Sequence, residues 1–286
     1  MQVQNNIASI NAARNQGIET GKLKKSLEKL SSGFRIVRAG DDAAGLAISE
    51  GMRSRINSLN QAMRNIDDGI GLTNVGDGAL TEVHSMLQRL KTLALKSANG
   101  TYDQSNRETL NMEKNQILEE IDRIGSTTKF GGISLFSRAD ANAITPGWQP
   151  PELDDTIPLQ IGGSTQAGEV LDVERYYIGS RELQLDQTDF SDVKKGQESV
   201  GYIENAIEAV SKVRASFGAA YMHLEHTHNN LSVTSENMQA AESQIRDTNM
   251  AEEITKYTSS NIILQSSNMM LTNANNLPQT ILELLK

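Results

Sequence analysis

The four histidines are the side chains of this sequence best suited to hold a metal or move a proton near neutral pH. Three of them cluster as His223-Leu-Glu-His226-Thr-His228. On a helix, residues three apart share a face, so His223 and His226 could meet one ion while His228 turns away. Two ligands fall short of the three that a catalytic zinc site uses, and histidines on a solvated helix face are the simpler reading. Asp41-Asp42 and Asp154-Asp155 pair carboxylates as acid–base chemistry would. They read equally well as a helix start and a solvated loop. Gly69-Ile-Gly71 lies inside a helical repeat and not after a strand, which argues against a dinucleotide loop. Neither G-x-x-x-x-G-K-[ST] nor G-x-S-x-G occurs. No cysteine is present to serve as nucleophile, disulfide or thiolate ligand. No catalytic residue, cofactor or metal is expected, and the chain reads as a non-enzyme.

Composition points the same way. Of 286 residues only 4% are aromatic, with one Trp and five Pro; long helices can run unbroken, but a thick core is poorly supplied. Thirty-six acidic residues against 27 basic ones leave a net charge of −9, which disfavours nucleic acid or an anionic membrane as partner. No apolar run is long enough to insert into a membrane. The opening MQVQNNIASINAARNQGIE lacks the basic and apolar regions of a secretory signal. Taken alone, these features place the chain in the cytoplasm.

The elements are read from apolar spacing. Ile7, Ile10, Ala13, Leu23, Leu27 and Leu30 recur at helical intervals among many polar residues. Gly17 and Gly21 each weaken such a helix by ~1 kcal/mol relative to Ala. It either docks on its own domain or folds only against other subunits. Ser31-Ser32-Gly33 then supplies a turn, Phe34 to Arg38 an extended link, and Asp41-Asp42 a new helix start.

That helix should run from about Asp42 to Ala98. Met52, Ile56, Leu59, Met63, Ile66 and Ile70 alternate steps of four and three, a coiled-coil seam. The register continues through Leu80, Leu87 and Ala94, with Thr73, Asp77, His84 and Lys91 as polar interruptions. Gly69, Gly71, Gly76 and Gly78 mark a bend or a close helix contact. Asn99-Gly100 stops the helix in the left-handed conformation. Ser105-Asn-Arg-Glu108 reads as the capping box of a second helix with Leu110, Ile117, Ile121 and Ile124 inside, ending at Gly125. Phe130-Gly131-Gly132-Ile133 is a turn on an aromatic anchor.

Pro146 to Pro151 cannot be helix interior, and LQIGGSTQAGEVLDV offers two alternating runs around Gly162-Gly163, a hairpin. Leu183 and Leu185 could add another strand. From Val200, Ile203, Val210, Phe217, Leu224, Leu231, Met238 and Ile245 recur at every seventh residue. This helix should pair antiparallel with the first heptad run. After a linker at Arg246 to Asn249, the last helix carries Ile254, Ile262, Ile263, Leu264, Met269, Met270, Leu271, Leu277, Ile281, Leu282, Leu284 and Leu285, with a kink at Pro278.

KLSSGFRIVRAGDDAAGLAISEGMRSRI near the start, and ENMQAAESQIRDTNMAEE with LTNANNLPQTILELLK near the end, closely resemble the signatures of bacterial flagellin. The resemblance covers roughly residues 1 to 136 and 196 to 286. It implies a mainly α fold: an elongated antiparallel coiled-coil-like helical rod with a small β-hairpin region, and terminal helices forming a filament core. Five segments follow: a core helix and link over 1–40, rod helices over 41–136, a short variable β-containing connection over 137–195, a rod helix over 196–246 and a core helix over 247–286. Rod packing falls to the two heptad sets, Met52 to Ile70 and Ile203 to Ile245. Filament-core contacts fall to Ile7, Ile10, Leu23, Leu27, Leu30, Ile263, Leu271, Leu277, Ile281 and Leu285.

The implied function is a structural subunit that polymerises with copies of itself into the flagellar filament for swimming. Such subunits are exported unfolded through the flagellar type III apparatus, so the location becomes extracellular without a cleaved signal. Export chaperone, cap and junction proteins are the implied partners. Gln88, Arg89, Leu90, Leu93 and Glu113 match the segment that packs between protofilaments and that the vertebrate innate receptor TLR5 recognises. Thr92 and Tyr221-Met222-His223 depart from the family pattern there. A hook–filament junction protein, or a soluble receptor ligand that never polymerises, are the alternatives.

Overall fold

The computed structural model describes residues 6–136, 156–164 and 168–284, with side chains described as far as residue 276. It is mainly α. Five helices, α1 Ile7–Ser32, α2 Ala43–Ser97, α3 Gln104–Thr127, α4 Val193–Arg246 and α5 Met250–Leu284, are joined by two small hairpins. The contacts group residues 1–56 with 235–286 as one unit and 57–234 as another.

In the unit of residues 57–234, α2 and α4 run antiparallel. Lys91 bonds Glu204, Asp77 bonds Arg214 and Asp67 lies 3.6 Å from His228, so numbers rise on one helix as they fall on the other. Between them Leu72, Leu80, Leu87, Ile203, Val210 and Phe217 are buried. The glycine run on α2 admits this close approach: a Cβ at Gly76 would stand 2.8 Å from the Phe217 ring.

Helix α3 closes the core with Leu118 and Ile121. Its N-cap is Asp103, whose carboxylate accepts from the Asn106 backbone N–H at 2.8 Å. Ser105, expected as the cap, lies inside the helix. Asp takes the position because its short carboxylate both bonds a free N–H and opposes the helix dipole. The helix runs past Gly125 to Thr127.

Strands β1 Lys129–Phe130 and β2 Ile133–Ser134 pair around Gly131-Gly132, both with positive φ, so the expected turn is a minimal hairpin. Strands β3 Thr156–Gln160 and β4 Val170–Glu174 pair antiparallel from Thr156↔Glu174 to Gln160↔Val170, which is the hairpin read around Gly162-Gly163. Leu183 and Leu185 form no strand. Leu185–Gln187 is a 3₁₀ turn, and both leucines are buried in the core, because alternate apolar residues can also be satisfied by a loop folded inward. Helix α4 starts at Val193, seven residues before Val200. Pro146 to Pro151 and Asp154-Asp155 lie outside the described residues.

In the unit of residues 1–56 and 235–286, α1 ends on Gly33 with φ +76°, the glycine N–H bonding Lys29 O. The link after it pairs with the α4–α5 joint. Phe34 bridges Asp247, Arg35 N donates to Arg246 O at 2.6 Å, and Thr248 N donates to Gly33 O at 2.9 Å. Arg246 stacks 4.7 Å from the Phe34 ring and bonds Glu50 at 2.6 Å. Asp42 caps α2 through Gly45 N at 2.9 Å. Asp41, one residue earlier, accepts from Arg38 N, a bond that lowers its pKa.

The heptad residues divide by burial. Leu59, Ile66, Ile203, Val210, Phe217 and Leu224 are buried; Met52, Ile56, Met63, Ile70, Leu231, Met238 and Ile245 are half-buried. A two-helix seam shields a side chain on two sides only, and full burial needs a third wall. At Gly100 the α2 stop is not left-handed, unlike Gly33. Helix α5 continues unbroken through Pro278 to Leu284.

Candidate assembly surfaces

Helices α1 and α5 pack on each other along their length through polar links. Asn6 Nδ2 donates to Ala274 O at 2.6 Å, Ser9 Oγ to Asn275 Oδ1 at 2.7 Å, and Gln16 Nε2 to Asn268 Oδ1 at 2.6 Å. The buried positions are themselves largely polar: Glu19 and Ser26 on α1, Glu253, Ser260 and Ala274 on α5. Glu19 and Ser26 are seven apart, as are Glu253 and Ser260. The helices therefore pair along a heptad seam of small and polar residues. Lys22 bonds Glu19 at 2.8 Å, while the other Glu19 carboxylate oxygen is buried without a hydrogen-bond partner.

Most of the large apolar side chains of this pair point the other way. Ile7, Ile10, Ile18, Leu27, Ile254 and Ile263 are exposed, with Ile262 62%, Met270 64% and Met269 68% exposed. Leu23, Leu30 and Leu271 are half-buried. Leu277 and Ile281 lie on the helix beyond the described side chains, and Leu285 lies outside the described residues. An open groove of about 700 Å³ between the helices is lined by Ala8, Ala12, Ile262, Ile263 and Met270 among Asn and Ser residues. Exposed apolar patches of this kind mark surfaces that a partner covers.

A second surface lies on α2 and α3. Arg89 reaches across to Glu113, with Nη2 2.6 Å and Nε 2.8 Å from the same carboxylate oxygen. Gln88 is exposed beside it, its amide 3.3 Å from His84. Leu90 and Leu93, expected to join these three on the surface, are buried in the core instead. They flank the register of Leu80, Leu87 and Ala94, Leu90 seven residues after buried Val83 and Leu93 twenty-one after buried Leu72, and so turn inward. Thr92 is exposed and bonds Gln88 O at 2.9 Å. Met222 and His223 are exposed, with Tyr221 half-buried.

Sequence reasoning missed the clasp that holds the loop before α4. Lys114 is buried, donating to Thr188 O at 2.7 Å, and its burial lowers its pKa. Asp189 is held well below the usual carboxylate range, first by Lys195 at 2.8 Å and then by Ser191 and Asn111. Ser97 Oγ donates to Phe190 O at 2.9 Å. These residues lie far apart in sequence, and no local pattern announces them.

The histidines stand apart. His223 lines a small cleft beside Asp172 and Glu174, His228 faces Asp67, and His84 faces Gln88. Among the described residues no three His, Asp or Glu side chains converge as metal ligands.

Residues 3–141 match the family description "Bacterial flagellin N-terminal helical region", and residues 200–285 match "Bacterial flagellin C-terminal helical region". A flagellin of Halalkalibacterium halodurans is 43% identical over the whole of both chains. One from Bacillus subtilis is 38% identical, again across the full length of each. The "Flagellar filament 33 kDa core protein" of Treponema phagedenis is 37% identical over the same extent. With both terminal regions matched and full-length relatives of this similarity, the chain belongs to the bacterial flagellin family, a family of structural filament proteins rather than enzymes.

Proposed function

We propose that this chain builds its filament through the outward apolar face of the α1–α5 pair, packed against the same pair in neighbouring copies. The observation that carries this reading is the inverted burial of that pair: Glu19, Ser26, Glu253 and Ser260 inside, Ile10, Ile262, Met269 and Met270 outside. A soluble helix pair places these classes the other way round. Repeated heterologous contacts between such surfaces propagate an open helical polymer.

In this reading the subunit leaves the cell unfolded through the flagellar type III apparatus, held first by an export chaperone. It then adds to an extracellular filament between junction and cap proteins. The absence of cysteine suits a chain that threads and folds without redox assistance. No helix among the described residues is long and apolar enough to cross a membrane.

The test is seeded growth from purified subunit, followed by negative-stain microscopy, beside a variant lacking residues 1–40 and 250–286. Filaments from the intact chain alone support assembly through the ends. Filaments from the truncated chain refute it.

Gln88, Arg89 and Glu113 support a second reading, in which TLR5 or a neighbouring protofilament recognises this face. Arg89 offers planar donors and a long apolar stem, the combination common at binding hot spots. Leu90 and Leu93 hold the surface from behind. An R89A variant that binds the receptor ectodomain as well as the parent would sink this assignment.

A further inference from the structure

The geometry points to Asn99 as a site of spontaneous, self-catalysed backbone modification, in which the folded chain converts this asparagine through a succinimide to aspartate and isoaspartate. Asn99-Gly100 is the one Asn-Gly pair in the sequence. It is exposed in the turn between α2 and α3. A Cβ at residue 100 would meet nothing within 4 Å, so the turn has open space on the Cα side of Gly100. Having no side chain, Gly100 also leaves its own nitrogen uncrowded.

Two contacts favour the reaction electronically. The Thr101 backbone N–H donates to Asn99 Oδ1 at 3.2 Å. This is the oxygen on which negative charge grows when the side-chain carbonyl is attacked, and a fixed N–H donor stabilises such an oxyanion. The buried Arg107 guanidinium donates to Asn99 O at 3.0 Å and to Tyr102 O at 2.9 Å. A cation bonded to the carbonyl of the 99–100 peptide draws electrons from that amide. Its N–H, which belongs to Gly100, becomes more acidic.

The steps balance without any reagent but water. Gly100 N loses its proton and bonds to Asn99 Cγ; the Cγ–Nδ2 bond breaks and ammonia leaves with that proton, closing the ring. Water then adds at one of the two ring carbonyls. Attack at Cγ gives aspartate, and attack at the main-chain carbon gives isoaspartate, with the chain rerouted through the side chain. Either product adds one negative charge at the C-terminal end of α2, where the helix dipole disfavours it. Isoaspartate also lengthens the α2–α3 joint by one methylene.

The Asp-Gly pairs Asp68-Gly69 and Asp77-Gly78 can form the same ring by loss of water. Both lie inside α2, where the glycine N–H groups serve the helix and the backbone is held away from cyclisation. The turn at Asn99 has no such protection.

The experiment incubates the full-length chain in mildly alkaline buffer at body temperature and follows each peptide by mass spectrometry, with an isoaspartyl methyltransferase as probe. A synthetic peptide of residues 95–107 and the G100A chain run in parallel. Expected is a mass gain of about 1 Da at residue 99 with methyl acceptance. Its rate should be no lower than about one third of the peptide rate, since the turn supplies its donors. In G100A it should fall about tenfold or more, with unchanged circular dichroism. A native rate below that bound, or no slowing in G100A, overturns the proposal.

Discussion

Replacing Ile262 separates assembly from folding. Its side chain is 62% exposed on α5 and lines the groove against α1. Fully burying an isoleucine is worth about 1.5–3 kcal/mol, so covering the exposed share in a filament contributes about 1–2 kcal/mol per subunit. Alanine gives up most of that. With 1.4 kcal/mol per tenfold change in equilibrium constant, the concentration of subunit left unassembled should rise about fivefold to tenfold in I262A. I262D should do far more, because it would bury an unpaired carboxylate at a cost of several kcal/mol.

Free-subunit stability should change by less than about 0.5 kcal/mol in I262A, because an exposed helical site is altered and alanine favours helix. The assay is seeded growth to a plateau, pelleting, and measurement of subunit in the supernatant, with denaturant unfolding of each variant beside it. If I262A and I262D both leave the parent concentration in the supernatant, the outward face of α5 is not the contact surface.

Three further outcomes test the folded subunit. D189N should lower stability at neutral pH by about 1 kcal/mol, discounted for solvent screening. The depressed pKa of Asp189 means its contribution is whole above the ordinary carboxylate pKa near 4 and is lost as pH falls toward the folded value; the two unfolding curves should therefore converge in acid. G125A should cost about 2–3 kcal/mol, because its Cβ would fall 1.9 Å from Ile178 O, a backbone atom that moves only with its loop; denaturant titration measures this. L90A should destabilise by about 2–5 kcal/mol and R89A by less than about 1, since one empties the core and the other opens an exposed ion pair; equal losses would contradict their placement.

Much of this arrangement was legible where apolar residues repeat. Ile203, Val210, Phe217 and Leu224, at intervals of seven, disclose both the helix and its inward face. The α2 seam does so too. Leu90 and Leu93 were assigned outward by likeness to a binding segment, although the spacing of seven from Val83 to Leu90 and of twenty-one from Leu72 to Leu93 already turns them inward. Ser105 satisfied a capping pattern that Asp103 satisfies better. The α1–α5 pair was harder, because its seam is carried by Glu19, Ser26, Glu253 and Ser260. A search for apolar periodicity passes over such residues, and only the seven-residue spacing of small and polar side chains could have found them. The Lys114–Asp189 clasp depends on loop closure and leaves no local trace.

The same contrast predicts how the free subunit behaves. Among the described residues, the buried hydrophobic side chains of the unit formed by 1–56 and 235–286 are Ile36 and Ala274; the rest belong to residues 57–234. Fixing a backbone costs about 1–2 kcal/mol per residue, and the α1–α5 pair orders long helices with little apolar burial to offset it. Its polar links each contribute only about 0.5–1.5 kcal/mol. Amides of α1 and α5 in the free subunit should therefore exchange hydrogen much faster than those of residues 72–94 on α2. In the filament, with Ile10, Ile262 and Met269 covered, they should become protected together. Hydrogen exchange with mass spectrometry on subunit and filament measures both. If α1 and α5 are already as protected as the middle of α2 in the free subunit, the polar seam suffices alone, and the outward apolar face has some role other than completing the fold.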